Sequence, residues 1–141
     1  MDNLDLEKVS DVLEEKAVRQ SIECVNWPEQ FSYKPITVFS IARSQKYLYI
    51  NYFVRGNCLL AINDKDNGPV WQDSCVEFFV QIPGEKEYYN FEFNCIGTAL
   101  AAKRESRELC THFTSDKMAQ IKRYASAGNK PFQEMQEIFG G

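Results

Sequence analysis

The sequence is poor in residues and patterns on which several classes of chemistry depend. It has one histidine among 141 residues, and its five cysteines include no CxxC pair, so the spacing typical of a zinc site is missing. It also has no glycine-rich phosphate loop and no apolar run approaching the length of a membrane span. These absences argue against a zinc site, a phosphate-binding loop and a membrane-spanning protein.

Basic charge is also scarce. The chain has 16 basic and 20 acidic residues, with a net charge of -4 and a pI near 5.1, which argues against nucleic acid as a partner. The start, MDNLDLEKVSDVLEEK, is acidic and amphipathic and is unlike a signal peptide. We therefore expect a cytoplasmic protein with reduced cysteines, or an extracytoplasmic one if a leader has been removed.

The middle of the chain is rich in strand-forming patterns. Residues 36–42, 47–54, 76–82 and 89–95 alternate between apolar and polar side chains and contain many aromatic and β-branched residues. Helices are predicted for residues 6–17 and from Ser115 onward. Strands with one apolar face need a second layer to cover it. The sequence therefore predicts a mainly β fold, an antiparallel β-sandwich with peripheral short helices, in a single domain over residues 1–141.

The two strongest predicted strands favour a specific pairing. If their apolar faces match, only alternate registers are allowed, and one of these sets Glu77 directly opposite Glu92. Like charges so placed are destabilising. The alternate register, with Glu77 opposite Asn94 and Phe79 opposite Glu92, is therefore the one that the sequence favours. It gathers Glu77, Glu92 and Asn94 on one face.

This face carries an unusual combination of side chains. Trp71 precedes the strand, and Glu77 follows six residues later. A sugar ring needs a flat apolar platform for its C–H face and carboxylate or amide groups for its hydroxyls, and Trp71, Glu77 and Asn94 supply both. The plainer interpretation is that Trp71 is a half-buried packing residue and that Glu77 is a solvated residue of the polar side of a sheet.

Two catalytic interpretations are weaker. Asp73, Glu77 and Glu92 could supply the two carboxylates of a glycosidase, although acids at alternate strand positions are common. Cys110 and His112 could form a thiol nucleophile and its base, but no third residue is available to orient them. We therefore predict no catalytic residues.

A calcium loop is also a poor match. Asp64, Asp66 and Asn67 lie close together, but the DxDxDG register fails and no acidic residue closes the loop at the required spacing. The stretch NDKDNGP is typical of a turn.

Several of these segments resemble carbohydrate-binding module family 9, in particular the family-9-like proteins of Bacteroides-type bacteria. The resemblance rests on NWP at residues 26–28, on DNGPVWQDSCVEFF and on YYNFEFNCIGTAL, and it extends from about residue 22 to residue 124. It implies a β-sandwich related to the DOMON-type sandwiches that binds saccharide without cleaving it. It further implies that Trp71 stacks on the sugar and that Glu77 accepts its hydroxyls.

The resemblance also sets further expectations. Structural calcium occurs in the family, although no ligand set is evident here, and we otherwise expect no cofactor. Family members continue for two or three more strands, so the chain is expected to be truncated at its C-terminus. Our leading hypothesis is a non-catalytic saccharide-binding module; the ligand-binding residues that we predict are Trp71, Asp73, Glu77, Glu92 and Asn94. The alternatives are a glycoside-active enzyme and an interaction domain that has lost its sugar.

Overall fold

The computed structural model describes residues 1–136, apart from the side chains of residues 134–136. It is mainly β, with two short helices and a single 3-10 turn at Val70–Gln72 in this part of the chain. In chain order, the helices and strands are α1 (Leu6–Lys16), β1 (Arg19–Ser21), β2 (Ile36–Arg43), β3 (Leu48–Arg55), β4 (Cys58–Ala61), β5 (Cys75–Val80), β6 (Tyr88–Asn94), β7 (Ala99–Arg104), β8 (Cys110–His112), α2 (Ser115–Ala119) and β9 (Phe132–Gln136).

The described residues form two compact units, one made mainly of Met1–Cys58 and the other of Leu59–Met135. The predictions of one domain over residues 1–141 and of a C-terminal truncation stay predictions. Residues 137–141, which belong to the predicted single domain, lie outside the described part.

The first unit contains a three-stranded antiparallel sheet in the order β1-β2-β3. Helix α1 packs on this sheet because its apolar residues recur at helical spacing: Val9 and Leu13 are buried together with Tyr49 of β3. The turn between β2 and β3 is closed by Ser44, whose hydroxyl accepts hydrogen bonds from the backbone N–H groups of Lys46 and Tyr47. The predicted helix and hairpin are confirmed.

The second unit contains a four-stranded antiparallel sheet in the order β5-β6-β7-β8, and strands β4 and β9 pair separately. One face of the four-stranded sheet, which we call the apolar face, carries Phe78, Phe91, Phe93, Ala99 and Ala101. It is covered by Met118 of α2, which is 3% exposed, with Phe113 and Ile121 packed beside it. The mainly β, antiparallel fold class is therefore confirmed and is consistent with the predicted β-sandwich.

The predicted register of β5 and β6 is wrong. In the structure Glu77 lies directly opposite Glu92, and Phe79 lies opposite Asn90 rather than Glu92. Asn94 pairs with Cys75, not with Glu77, because its side-chain amide is held by Asp73 just before β5. The charge repulsion that argued against this register is reduced because burial and the nearby Glu77 raise the pKa of Glu92, which favours its neutral form.

Candidate ligand-binding site

Trp71 lies on the 3-10 turn that leads into β5. The preceding residue, Val70, is fully buried and anchors the turn, whereas the Trp71 side chain is 58% exposed. The turn packs against β5 and β6. A large aromatic ring is therefore presented to solvent on a turn whose backbone is fixed by its neighbour.

Asp73 and Asn94 fix the end of this turn. The Asp73 carboxylate accepts hydrogen bonds from the backbone N–H groups of Ile62 (3.2 Å) and Asn63 (3.0 Å) and from the Asn94 amide (2.9 Å). Burial alone would raise the pKa of Asp73, but these hydrogen bonds together outweigh it and hold the pKa below its usual value. The carboxylate is thus the ionised centre of a buried junction.

The Asn94 side chain is fully engaged within the protein. Its amide nitrogen donates to Asp73 and to the Asn63 carbonyl (2.8 Å), and its oxygen accepts from the N–H groups of Ile96 and Thr98. Asp73 and Asn94 are 8% and 4% exposed, respectively. Both residues act as supports for the Trp71 turn, and the prediction that either contacts a ligand stays untested.

We call the other side of the four-stranded sheet, opposite the apolar face, the polar face. Because directly paired residues of antiparallel strands share a face, the register brings Glu77 of β5 beside Glu92 of β6. The same face holds Asn90 and Asn94 of β6 and Arg104 of β7, which pairs with Tyr88. Glu77 is exposed, whereas Glu92 is 8% exposed.

Arg104 is a candidate site residue that the sequence did not reveal. Its Nε donates to the Asn90 side-chain oxygen (2.5 Å), and the Asn90 amide in turn donates to Glu92 Oε1 (3.1 Å). The segment TALAAKRESREL could have been strand or helix, so the face on which this arginine lies was undecided. The available signal was the alternation of side chains along a strand. If this segment is a strand, Arg104 lies on the same face as Leu100 and Ala102.

Glu92 is the most unusual acid in the site. One of its oxygens is bound by Asn90, but Oε2 is buried and has no hydrogen-bond partner in the part of the chain that the structure describes. Burial, followed by the charge of Glu77, raises the pKa of Glu92; Arg104 and the Asn90 hydrogen bond act in the opposite direction. The net shift of the pKa is upward, so this environment disfavours the charged form of Glu92.

Two side chains of the loop considered for calcium, those of Asp66 and Asn67, are bound within the protein. The Asp66 carboxylate is bound by the Arg123 guanidinium through two contacts of 2.7 and 2.8 Å and also accepts from the Ala99 N–H group. The Asn67 side chain is bonded to the backbone of Ala101 and Phe113. These contacts hold the loop against the sheet, and the expectation of structural calcium stays a prediction.

The remaining candidate groups are dispersed. Within residues 1–136, no cluster of three or more His, Cys, Asp or Glu side chains is placed to hold a metal. Cys110 and His112 lie on the edge strand β8, opposite Arg104 and Ala102. All five cysteines are free thiols, and burial raises the pKa of Cys75 to about 12. No helix in the described residues is long and apolar enough to cross a membrane.

The chain is similar to one solved structure and matches one family model. A solved structure from Bacteroides uniformis, described as a "putative carbohydrate-binding protein", superimposes with a TM-score of 0.86 at 34% sequence identity. The similarity covers 92% of this chain and 60% of that one, so this chain spans less than two thirds of its length. No curated protein sequence matches the chain significantly. The family model for Carbohydrate-binding family 9 matches residues 7–139, and the chain therefore belongs to this family.

Proposed function

We propose that this chain binds an uncharged saccharide without cleaving it, with Trp71 as the stacking platform and Glu77 as the main hydrogen-bond acceptor. The observation that carries the proposal is the exposed Trp71 ring on an anchored turn, directly before a strand that presents an exposed glutamate. Membership of Carbohydrate-binding family 9 supports saccharide as the ligand class. A stacked ring suits the C–H face of a sugar, and a carboxylate can accept hydrogen bonds from its hydroxyls.

Arg104 supplies a donor to complement this acceptor. It is half-buried, and it shares the polar face with Glu77 through the pairing of β5, β6 and β7. A guanidinium has five N–H donors, and only some are engaged by Asn90 and by the Arg107 carbonyl. We expect Arg104 to donate to a sugar oxygen, while Asp73, Asn94 and Glu92 hold the surrounding backbone and side chains in place.

One observation favours a second candidate function, a glycoside hydrolase. Glu92 has a raised pKa and stands beside the carboxylate of Glu77, which is the combination that a retaining or inverting mechanism needs. Against it, Glu92 is only 8% exposed and its Oε2 is buried, so the side chain would have to move before it could protonate a glycosidic oxygen. Release of reducing ends from oligosaccharides by the parent, and its loss in Glu92→Gln, would establish the hydrolase instead.

The proposal is tested by a glycan-array screen of the intact protein, followed by calorimetric titration of the strongest hit. Trp71→Ala should lose about 2 kcal/mol of binding free energy, because the stacked apolar area is removed. Glu77→Gln keeps its shape but loses a charge-assisted hydrogen bond, and should cost roughly 1–2 kcal/mol.

Trp27→Ala is the matched control for the tryptophan variant. Trp27 is 65% exposed and lies in a loop of the other unit, so its removal deletes a similar exposed ring at a position that the proposal does not use. Equal binding by folded Trp71→Ala and by the parent would exclude the proposed platform. If no glycan binds the parent, the interaction-domain hypothesis replaces this one.

A further inference from the structure

The buried carboxyl of Glu92 has an oxygen for which the described residues provide no donor. Asn90 donates to Oε1, whereas Oε2 is buried and has no hydrogen-bond partner among the described residues. An ionised carboxylate left in this state loses its hydration without replacement, which is among the costliest arrangements in a protein interior. A neutral carboxylic acid avoids most of this cost, because its proton can lie on Oε2 and be donated.

The strand register provides an acceptor for that proton. Glu77 lies directly opposite Glu92, and the Cβ atoms of such cross-strand pairs are about 4.5–5.5 Å apart, within reach for two glutamate side chains. On the other side of Glu92 lies Leu100, an apolar residue that is 5% exposed and offers no polar side-chain group. The geometry therefore favours Glu77 over any partner on β7.

The charged and titratable groups around Glu92 are few. Glu77 and Cys75 face it from β5, and burial raises the pKa of Cys75 to about 12, so this thiol is neutral. From β7, the charge of Arg104 lowers the pKa of Glu92, and Asn90 bonds to both side chains. At the end of β6, the Asp73 carboxylate is bound by Asn94. The 3-10 turn contains only valine, tryptophan and glutamine. Glu77 and Arg104 are thus the charges that set the state of Glu92.

We propose that Glu92 is a positioning residue that carries a proton on Oε2 and donates it to the Glu77 carboxylate, fixing that carboxylate for saccharide binding. This inference rests on the function proposed above and specifies where a proton lies in that site. One carboxyl group of the pair is then a donor and the other is an acceptor with lone pairs remaining for sugar hydroxyls. When Glu92 loses its proton, two like charges face each other and the Glu77 carboxylate is pushed out of position.

The proton and the saccharide are consequently linked. Affinity is full when Glu92 is protonated and falls as the pH rises through its raised pKa, by about fivefold or more if the coupling is of ordinary size. By the same linkage, bound saccharide favours the protonated acid and raises the pKa of Glu92 further.

The first arm of the test needs no ligand. The side-chain carboxyl carbons of the intact protein are followed by NMR as the pH is raised, and the Glu92 signal is assigned by its loss in Glu92→Gln. Glu92 should titrate above the ordinary glutamate value of 4.5, and less far above it in Glu77→Gln. Titration at or below the ordinary value would overturn the inference, whatever the protein binds.

The second arm measures binding to four neutral probes, glucose, galactose, mannose and xylose, in mildly acidic and mildly alkaline buffers. The affinity of the parent should fall with rising pH, and Glu92→Gln, whose amide donates at every pH, should flatten this profile. Glu108→Gln, the same change at an exposed glutamate, should retain the pH dependence of the parent.

The outcomes separate the two proposals. A raised Glu92 titration together with an affinity that does not change with pH would overturn the positioning role and leave saccharide binding intact. A raised titration together with no binding of these probes or of any array glycan at either pH would overturn the proposed function, and with it the positioning role.

Discussion

Strand β6 of the four-stranded sheet buries different kinds of residue on its two faces. On β6, the aromatic residues of the apolar face, Phe91 and Phe93, are half-buried, whereas Asn90 and Asn94 of the polar face are 1% and 4% exposed. The apolar face is closed by packing against α2. The polar face is closed by hydrogen bonds that converge on Asp73, Asn94 and Glu92. Burial of a polar row has to be compensated bond by bond, so the two faces should respond differently to substitution.

The largest expected effect comes from the centre of the polar network. Asp73→Ala leaves the N–H groups of Ile62 and Asn63 and the Asn94 amide without their acceptor, and should lower the free energy of unfolding by roughly 3–5 kcal/mol. Urea denaturation measures this loss. Asp64→Ala, at an exposed aspartate of the preceding loop, is the matched control and should stay within about 0.5 kcal/mol of the parent. Equal stability of the two variants would contradict the claim that hydrogen bonds to Asp73 stabilise the polar face.

The apolar face should respond to cavity formation instead. Met118 is 3% exposed and packs with Ala99 and Ala101, so Met118→Ala should cost roughly 2–4 kcal/mol in the same denaturation experiment. Leu109→Ala, at a side chain that is 60% exposed, should cost much less. Saccharide affinity at temperatures where the variant is folded should be unaffected, because Met118 covers the opposite face. A loss of affinity in folded Met118→Ala would contradict the assignment of function to one face only.

A smaller effect is expected at the ion pair between Arg123 and Asp66. Arg123 binds Asp66, whose side chain is 35% exposed, and solvent screening limits the value of such a pair. Arg123→Ala should cost about 1 kcal/mol, with Lys130→Ala as the control at an exposed lysine. A loss as large as that of Asp73→Ala would show that this ion pair belongs to the buried network.

The smallest effect is the pH dependence of stability, which has two opposing limbs. The Arg123 hydrogen bonds lower the pKa of Asp66, and the pKa of Asp73 is also lowered, so their contribution is present above the ordinary value of 3.8 and is lost on acidification. The pKa of Glu92 is raised, so its contribution is present at low pH and is lost as the pH rises from 4.5 through the folded value. As the pH is raised from below 3.8 to above the folded pKa of Glu92, the urea concentration at the unfolding midpoint should therefore first rise and then fall.

The Glu92→Gln variant separates the two limbs. It removes the titrating group of the falling limb and leaves both aspartates in place, so the decline at higher pH should flatten while the loss on acidification remains. A falling limb of unchanged size in this variant would assign the decline to other groups.

Much of the fold was predictable from local pattern, because helix α1 and the β2–β3 hairpin have strong periodicity and clear ends. The register of β5 and β6 was not, because the like-charge rule assumes that both glutamates are ionised. The state of Glu92 depends on burial among side chains distant in sequence, which no local pattern encodes. The internal bonding of Asp73 and Asn94 likewise depends on Ile62 and Asn63, ten or more residues away.

The central claim is that saccharide is recognised at the polar face beside Trp71. It is tested most directly by NMR, with the intact, isotope-labelled protein titrated with the strongest glycan from the array and the perturbed signals mapped onto the sequence. The account predicts that the largest changes occur at the Trp71 indole N–H, at the backbone of Glu77 and at the Arg104 side chain. Changes concentrated at Trp27, or at Phe113 and Met118 of the apolar side, would contradict it.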